Sequence, residues 1–222
     1  MFLLHHSSIR FLIFFILVII FLNACKTLPY FATSNDFYRQ EITLDMIGGK
    51  KLTGETSVLF EEKTPAPDFI ELKVKDGSIQ RMPIKGIKGY IFKEGYYAVK
   101  YVDLYYSGTY NLLFVKRLTK ENSKIQFYEL HQVRKTNDTG EDLYFYFISL
   151  PNHSLFETWN IYSKNLVPNF DSKMSAIVSD CPELAAKIKA KTKGYFLAQY
   201  NFSNSQKVEV FKRIIEEYNN CK

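Results

Sequence analysis

Phe69 to Lys75 reads FIELKVK, with Ile70, Leu72 and Val74 on one parity and Glu71, Lys73 and Lys75 on the other. Side chains of a strand point alternately to opposite faces, so this segment presents one apolar face and one charged face. Asp76-Gly77 follows, a pair suited to the positive backbone angles of a tight hairpin turn, and Ser78 to Ile84 returns. This hairpin constrains the fold more than any other stretch, because the same grammar runs from Phe37 to Leu150. Arg39 to Leu44 alternates, and Gly48-Gly49 turns the chain into Lys51 to Phe60. Thr64 to Asp68 holds two prolines that cannot donate to a central ladder, and reads as a loop.

Ile87 to Lys93 and Tyr96 to Tyr106 flank Glu94-Gly95, a second hairpin turn. Thr109 to Arg117, Ser123 to Arg134 and Leu143 to Leu150 continue the series, separated by Thr119 to Asn122 and by Lys135 to Glu141. Short apolar segments at this spacing predict a mainly antiparallel β sandwich or barrel. An aromatic content of 16% fits such a sheet, since tyrosine suits a half-buried pleated face. Leu143 to Ile148 is apolar on both parities and is expected as a central strand, or as an edge that meets a partner.

After Pro151 the pattern changes. Glu157 to Tyr162 adds one short strand, and Asp171 to Ser179 is compatible with a helix capped by Asp171. Asp180-Cys181-Pro182-Glu183 opens a second helix: the Asp carboxylate can accept an orphan amide, Glu183 can reach back, and proline is tolerated in a first turn. Leu184, Ala185 and Ile188 form its apolar stripe, Lys187, Lys189, Lys191 and Lys193 load its end, and Gly194 stops it. Tyr195 to Phe202 looks extended. Ser203-x-x-Gln206 then opens a helix with Val208, Phe211, Ile214, Ile215 and Tyr218 on one face, opposite Glu209, Lys212, Arg213 and Glu216. The expected class is therefore α+β: a β-rich domain over residues 37–165 followed by a small C-terminal helical lobe over residues 166–222.

The N-terminus carries a different signal. Phe11 to Leu22 is unbroken apolar sequence, preceded by Arg10 and followed by Asn23-Ala24-Cys25. A cation, a short apolar run and a small residue at a cut site make up an export signal. Crossing a membrane takes about 20 apolar residues, more than this run supplies. The stretch Leu22-Asn23-Ala24-Cys25 resembles the lipobox of bacterial lipoproteins: Leu22, Ala24 and Cys25 match the motif, while Asn23 departs from its usual small or β-branched residue. That resemblance implies a diacylglycerol on the Cys25 thiol, removal of residues 1–24, a tether over residues 25–36, and a membrane-anchored place in the cell envelope. Plain secretion or a signal anchor are the competing readings. Beyond Cys25 the chain resembles, in general style only, exported bacterial lipoproteins with a β-rich front and a helical tail, which implies no activity.

With Cys25 committed to lipid, Cys181 and Cys221 remain as an even pair for an oxidising compartment. Their disulfide would restrict the unfolded chain by about 4 kcal/mol in the chain-entropy account. Two unpaired thiols or a metal site stay open, although two cysteines without a nearby histidine make a poor zinc site. The pairing depends on topology. An antiparallel pair of helices brings Cys181 and Cys221 together, whereas a full return strand over Tyr195 to Phe202 leaves them about 20 Å apart, beyond bridging range.

Twenty-nine Lys and Arg against 23 Asp and Glu give a formal net charge of +6, to which the leader contributes only Arg10. A modest positive balance favours anionic surfaces such as phospholipid headgroups or lipopolysaccharide. No run of Lys and Arg is dense enough for nucleic acid, which is not expected as a partner.

Catalytic signatures are scarce. Past the leader the only histidines are His131 and His153, and no zinc-protease, nucleophile-elbow, phosphate-loop or Cys-x-x-Cys motif occurs. His131 lies in a strand pattern and reads as a sheet histidine; His153 follows Pro151 in a turn and is expected in solvent. A Cys181 nucleophile served by either histidine is weighed against the disulfide. Glu61-Glu62 and Glu141-Asp142 are adjacent carboxylates whose side chains would diverge in a strand. No catalytic residue, metal or cofactor is assigned.

The tyrosines carry the binding signal. Tyr97, Tyr101 and Tyr105 share a parity and would form an aromatic ladder for a glycan or an envelope protein if exposed, or a half-buried sheet face if not. Lys100, on the other parity, is expected in solvent. A lipid-anchored binding or scaffolding protein of the envelope is the expected role, with a small hydrolase of envelope polymers as the alternative.

Overall fold

A computed structural model of the chain describes residues 41–56, 69–93, 95–104, 108–136, 139–197 and 204–221. Ten strands make one sheet: β1 (Glu41–Met46), β2 (Lys51–Thr56), β3 (Phe69–Lys73), β4 (Ile79–Pro83), β5 (Ile87–Phe92), β6 (Gly95–Val102), β7 (Asn111–Arg117), β8 (Gln126–Thr136), β9 (Thr139–Ser149) and β10 (Trp159–Asn160). Three helices follow: α1 (Phe170–Ile177), α2 (Pro182–Lys189) and α3 (Asn204–Asn220). The strand order is β10-β9-β8-β7-β6-β5-β1-β2-β3-β4, every pairing is antiparallel, and the sheet is not closed. The α+β class expected from the sequence therefore holds.

Between β3 and β4 the Val74–Ser78 hydrogen bond encloses three residues, 75–77, not the two expected. Val74 N–H donates to Ser78 O at 3.0 Å, Gly77 N–H donates to Val74 O at 2.9 Å, and Gly77 takes φ +83°. The Asp76 carboxylate holds the turn by accepting from Ser78 N–H and Oγ–H. In the next hairpin Phe92 pairs with Gly95, so Lys93 (φ +50°) already lies in the turn and Gly95 belongs to β6. The β8–β9 hairpin is longer than its sequence suggests. Thr136 pairs with Thr139, so most of the expected loop over Lys135 to Glu141 is strand.

The sheet curls twice. Pro83 and Ile87 are joined by a 3-10 turn (Ile84–Gly86), yet β4 and β5 stand four strand spacings apart in the sheet order. A flat sheet would separate them by about 19 Å, and four residue steps reach at most about 14 Å. The β5-β1-β2-β3-β4 half must therefore wrap back on itself, around Ile42, Leu44, Ile70, Leu72, Ile87, Tyr90 and Val99. Residues 156–160 impose the second curl. Tyr101 N–H donates to Phe156 O at 2.7 Å and Thr158 Oγ–H donates to Tyr101 O at 2.6 Å, while Trp159 and Asn160 pair with Ile148 and Phe147 of β9. One short segment thus touches β6 and β9, with β7 and β8 bowed between them, around Ala98, Val102, Leu113, Val115, Tyr128, Leu130 and Phe147.

These two cores lie on opposite faces of β6 and β7. Val99 belongs to the first and Ala98 and Val102 to the second; Phe114 packs on the first and Val115 lies in the second. A third core forms where the helices cover the outer face of β8 and β9, joining Phe127 and Ile148 to Met174, Leu184, Phe211 and Ile214. Strand β9 is accordingly covered on both sides at its C-terminal half, as its apolar parities suggest. The Asn219 side chain docks α3 by accepting from Ile125 N–H at 3.0 Å and donating to Ile125 O at 3.3 Å.

The α3 face is the one read from the sequence: Val208, Phe211, Ile214, Ile215 and Tyr218 are buried and Glu209, Lys212, Arg213 and Glu216 exposed. The caps expected from Asp171 and Asp180 are not made, and Ser203 lies outside the described residues. α1 starts at Phe170, after Asn169 at φ +63°, with Asp171 inside its first turn. Cys181 precedes α2 without a side-chain cap, because Asp180 accepts from the Tyr218 hydroxyl at 2.6 Å and pairs with Lys124 at 3.2 Å instead. Lys187 meets Glu217 at 2.6 Å, and Cys181 is bonded to Cys221 with Cα atoms 6.1 Å apart. The start of α2 therefore lies against the end of α3, the proximity the disulfide requires. Among the described residues no helix is long and apolar enough to cross a membrane.

Candidate functional site

The site starts from a missing side chain. Gly89 on β5 pairs with Asp45 on β1 and with Ala98 on β6. A Cβ at position 89 would lie 2.8 Å from the Tyr96 ring and 2.4 Å from Tyr97 O. Glycine lets the Tyr96 ring lie across β5 and donate its hydroxyl proton to Asp45 Oδ2 at 3.0 Å. Arg117, at the end of β7, sets its guanidinium 4.2 Å from the centre of that ring, within cation–π range. Burial, and next the Asp45 carboxylate, push the Tyr96 phenol far above its ordinary pKa, with Arg117 opposing. Tyr96 therefore remains a proton donor and Asp45 its acceptor.

Around this floor lies a groove of about 390 Å3 whose rim carries Lys51 from β2, Lys88 from β5 and Lys93 from the following turn, with Glu121 opposite. Among the described residues no ion pair engages Lys51, Lys88, Lys93 or Arg117. Asp45 and Glu121 are its acids, and Asp45 stays charged while it accepts from the neutral Tyr96 phenol, so the groove presents four cations against two acids, a net positive lining. Such a surface attracts an anion. A larger groove of about 700 Å3 between α3 and residues 118–123 carries both signs, and its Lys212 is already paired with Glu209.

Lys100 contradicts its expected place in solvent. It is only 6% exposed, inside the second curl, and its Nζ donates to Leu155 O at 2.6 Å and lies 5.0 Å from the Tyr128 ring. Burial lowers its pKa to about 8, with Arg117 adding to the effect. His153 is likewise not in solvent. Its side chain is 4% exposed, Nδ1 accepts from Leu150 N–H at 3.1 Å, and the ring meets Trp159 edge-on. Burial first, and Lys100 after it, hold its pKa below the ordinary value, while Glu157 acts the other way. The other face of β6 is covered by the first curl, and residues 151–158 are strapped across its edge, so neither group reaches water.

His131 does sit in strand β8, its ring stacked on Tyr144 and its Nε2 2.7 Å from Asp142 Oδ1. Neither histidine is hydrogen-bonded to a serine or cysteine among the described residues, and the Cys181 sulfur is taken by Cys221. Tyr97 is stacked on the buried Tyr90 at 4.8 Å and packs on the first core, whereas Tyr101 is more than a third exposed and meets Phe156 edge-on. Tyr105 and Cys25, the residue expected to carry lipid, lie outside the described residues. The groove cations come from β2, β5, the turn after it and β7, so no local sequence pattern groups them. The local hints were lysines beside turns, at Gly48-Gly49 and at residue 93. No protein-family model, curated protein or solved structure matches this chain.

Proposed function

We propose that this chain is a lipid-anchored protein of the bacterial cell envelope, acylated on Cys25 after removal of residues 1–24, whose folded part binds or scaffolds. The anchor rests on Leu22-Asn23-Ala24-Cys25. The observation that carries the binding role is the groove over Tyr96 and Arg117, where Lys51, Lys88, Lys93 and Arg117 face one space with no ion-pair partner among the described residues. Four cations that outnumber the two acids beside them, Asp45 and Glu121, and that no ion pair engages among the described residues, suit an anionic ligand. Metabolic labelling with palmitate tests the anchor: the wild type should take up label and sediment with membranes, and Cys25→Ala should do neither. Label retained in that variant overturns it.

The hydrolase reading draws on one observation, the close pair of His131 and Asp142. It needs a nucleophile within reach of that imidazole. Replacing His131 and His153 together with the fold preserved distinguishes the two, since only the hydrolase loses its biological role.

A further inference from the structure

We infer that the basic groove is a docking surface for an anionic phospholipid bilayer, which it meets beside the proposed anchor. This rests on the binding reading above and adds what is bound. Three features point to lipid. Lys51, Lys88, Lys93 and Arg117 supply the charge that anionic headgroups attract, at about 1 kcal/mol for each cation near the surface. Two aliphatic side chains accompany them. Ile91 lines the same groove and is 38% exposed, and Ile47, at the tip of the β1–β2 turn, is 46% exposed. An exposed aliphatic group flanked by lysines lets the apolar tip enter the acyl boundary while the ammonium groups stay with the phosphates.

The third feature is reach. β1 begins at Glu41, and the groove lies near its far end, where Asp45 pairs with Lys51. The lipid on Cys25 would be joined to Glu41 by residues 26–40, which span up to about 50 Å when extended. β1 itself covers only about 20 Å. The chain is therefore long enough for the groove and the anchor to engage one bilayer together. Two weak contacts on one chain reinforce each other by effective concentration. In this arrangement the headgroup phosphate meets the Arg117 guanidinium and the lysines surround it.

The test uses the chain from residue 25 onward with Cys25→Ser, which keeps every described residue and carries no lipid. Its result is therefore independent of acylation. Co-sedimentation with phosphatidylcholine vesicles is compared with vesicles that also contain phosphatidylglycerol. Binding to the anionic vesicles should weaken with added salt. It should fall by at least roughly 100-fold when Lys51, Lys88 and Lys93 are all changed to Glu. Changing Lys164, Lys189 and Lys193, which are exposed on other elements, should weaken it far less. A lesser but distinct loss is expected for Ile47→Ser with Ile91→Ser. Equal binding to both vesicles, an equal loss in the two triple variants, or full competition by inorganic phosphate would each overturn the inference, the last by showing a single-anion pocket. A Cys25 that takes no palmitate would sink the anchor and leave this result standing.

Discussion

Lys100 Nζ lies 2.6 Å from the carbonyl oxygen of Leu155, and this bond ties the strap of residues 151–158 to the inside of the second curl. No carboxylate is paired with that ammonium among the described residues. A buried cation held by a carbonyl and the Tyr128 ring, with no carboxylate beside it, is a burden on the fold as long as it stays charged.

Stability should therefore rise with pH in a defined window. The folded pKa of Lys100 is about 8 and the ordinary value 10.5, so between them the unfolded chain binds the extra proton. Below about 8 the burden is constant; it is relieved as pH climbs towards 10. Above about 10 the tyrosines reverse the trend, since Tyr128 and Tyr218 are raised to about 12 by burial and hold protons the unfolded chain releases. Urea midpoints should rise from pH 8 to pH 10 in the wild type. Lys100→Met should flatten that rise, and an unchanged slope would remove Lys100 as its cause.

Gly89→Ala should disturb the groove from its floor. The new Cβ would lie 2.4 Å from a backbone oxygen and 2.8 Å from the Tyr96 ring, so β5 must shift or the ring must leave Asp45. Overpacking of this kind costs about 1–3 kcal/mol. Thermal unfolding should show that loss, and the phenol of Tyr96 should titrate at lower pH once it is free of burial and of Asp45. A variant with wild-type stability and phenol titration would contradict the geometry.

The Cys181–Cys221 bridge closes a loop with a sequence separation of 40, for which about 4 kcal/mol is the chain-entropy expectation. Non-reducing mass spectrometry should find the two half-cystines joined. Cys181→Ala with Cys221→Ala should lower the urea midpoint without altering the groove, whose lining includes no residue of the helices. Two alkylatable thiols in the oxidised protein would refute the bond.

Much of the fold was open to local reading. The alternation of Ile70, Leu72 and Val74 and the i, i+3, i+4 face of α3 are properties of neighbours in the chain, and both hold in the structure. The antiparallel meander from β6 to β9 follows because consecutive hairpins pair with what is next to them. Caps were less legible. Asp180 has the right spacing to cap α2, but the Tyr218 hydroxyl, far along the chain, takes its carboxylate.

Lys100 shows where alternation stops being informative. Its parity opposite Tyr97 is correct, yet opposite does not mean solvated, because β6 carries a core on each face. That arrangement depends on the direction of each curl. The curls in turn depend on β5 pairing with β1 rather than with β4, and on residues 156–160 crossing from β9 to β6. The sequence by itself determined the strands, their faces and the helical tail, all of which rest on periodicity and composition within a few residues. Only the tertiary structure decided which lysine is buried, which four cations share a groove, and that Cys181 meets Cys221. Each of those requires residues from distant elements to arrive at one point, and strand order and curvature, not local pattern, bring them there.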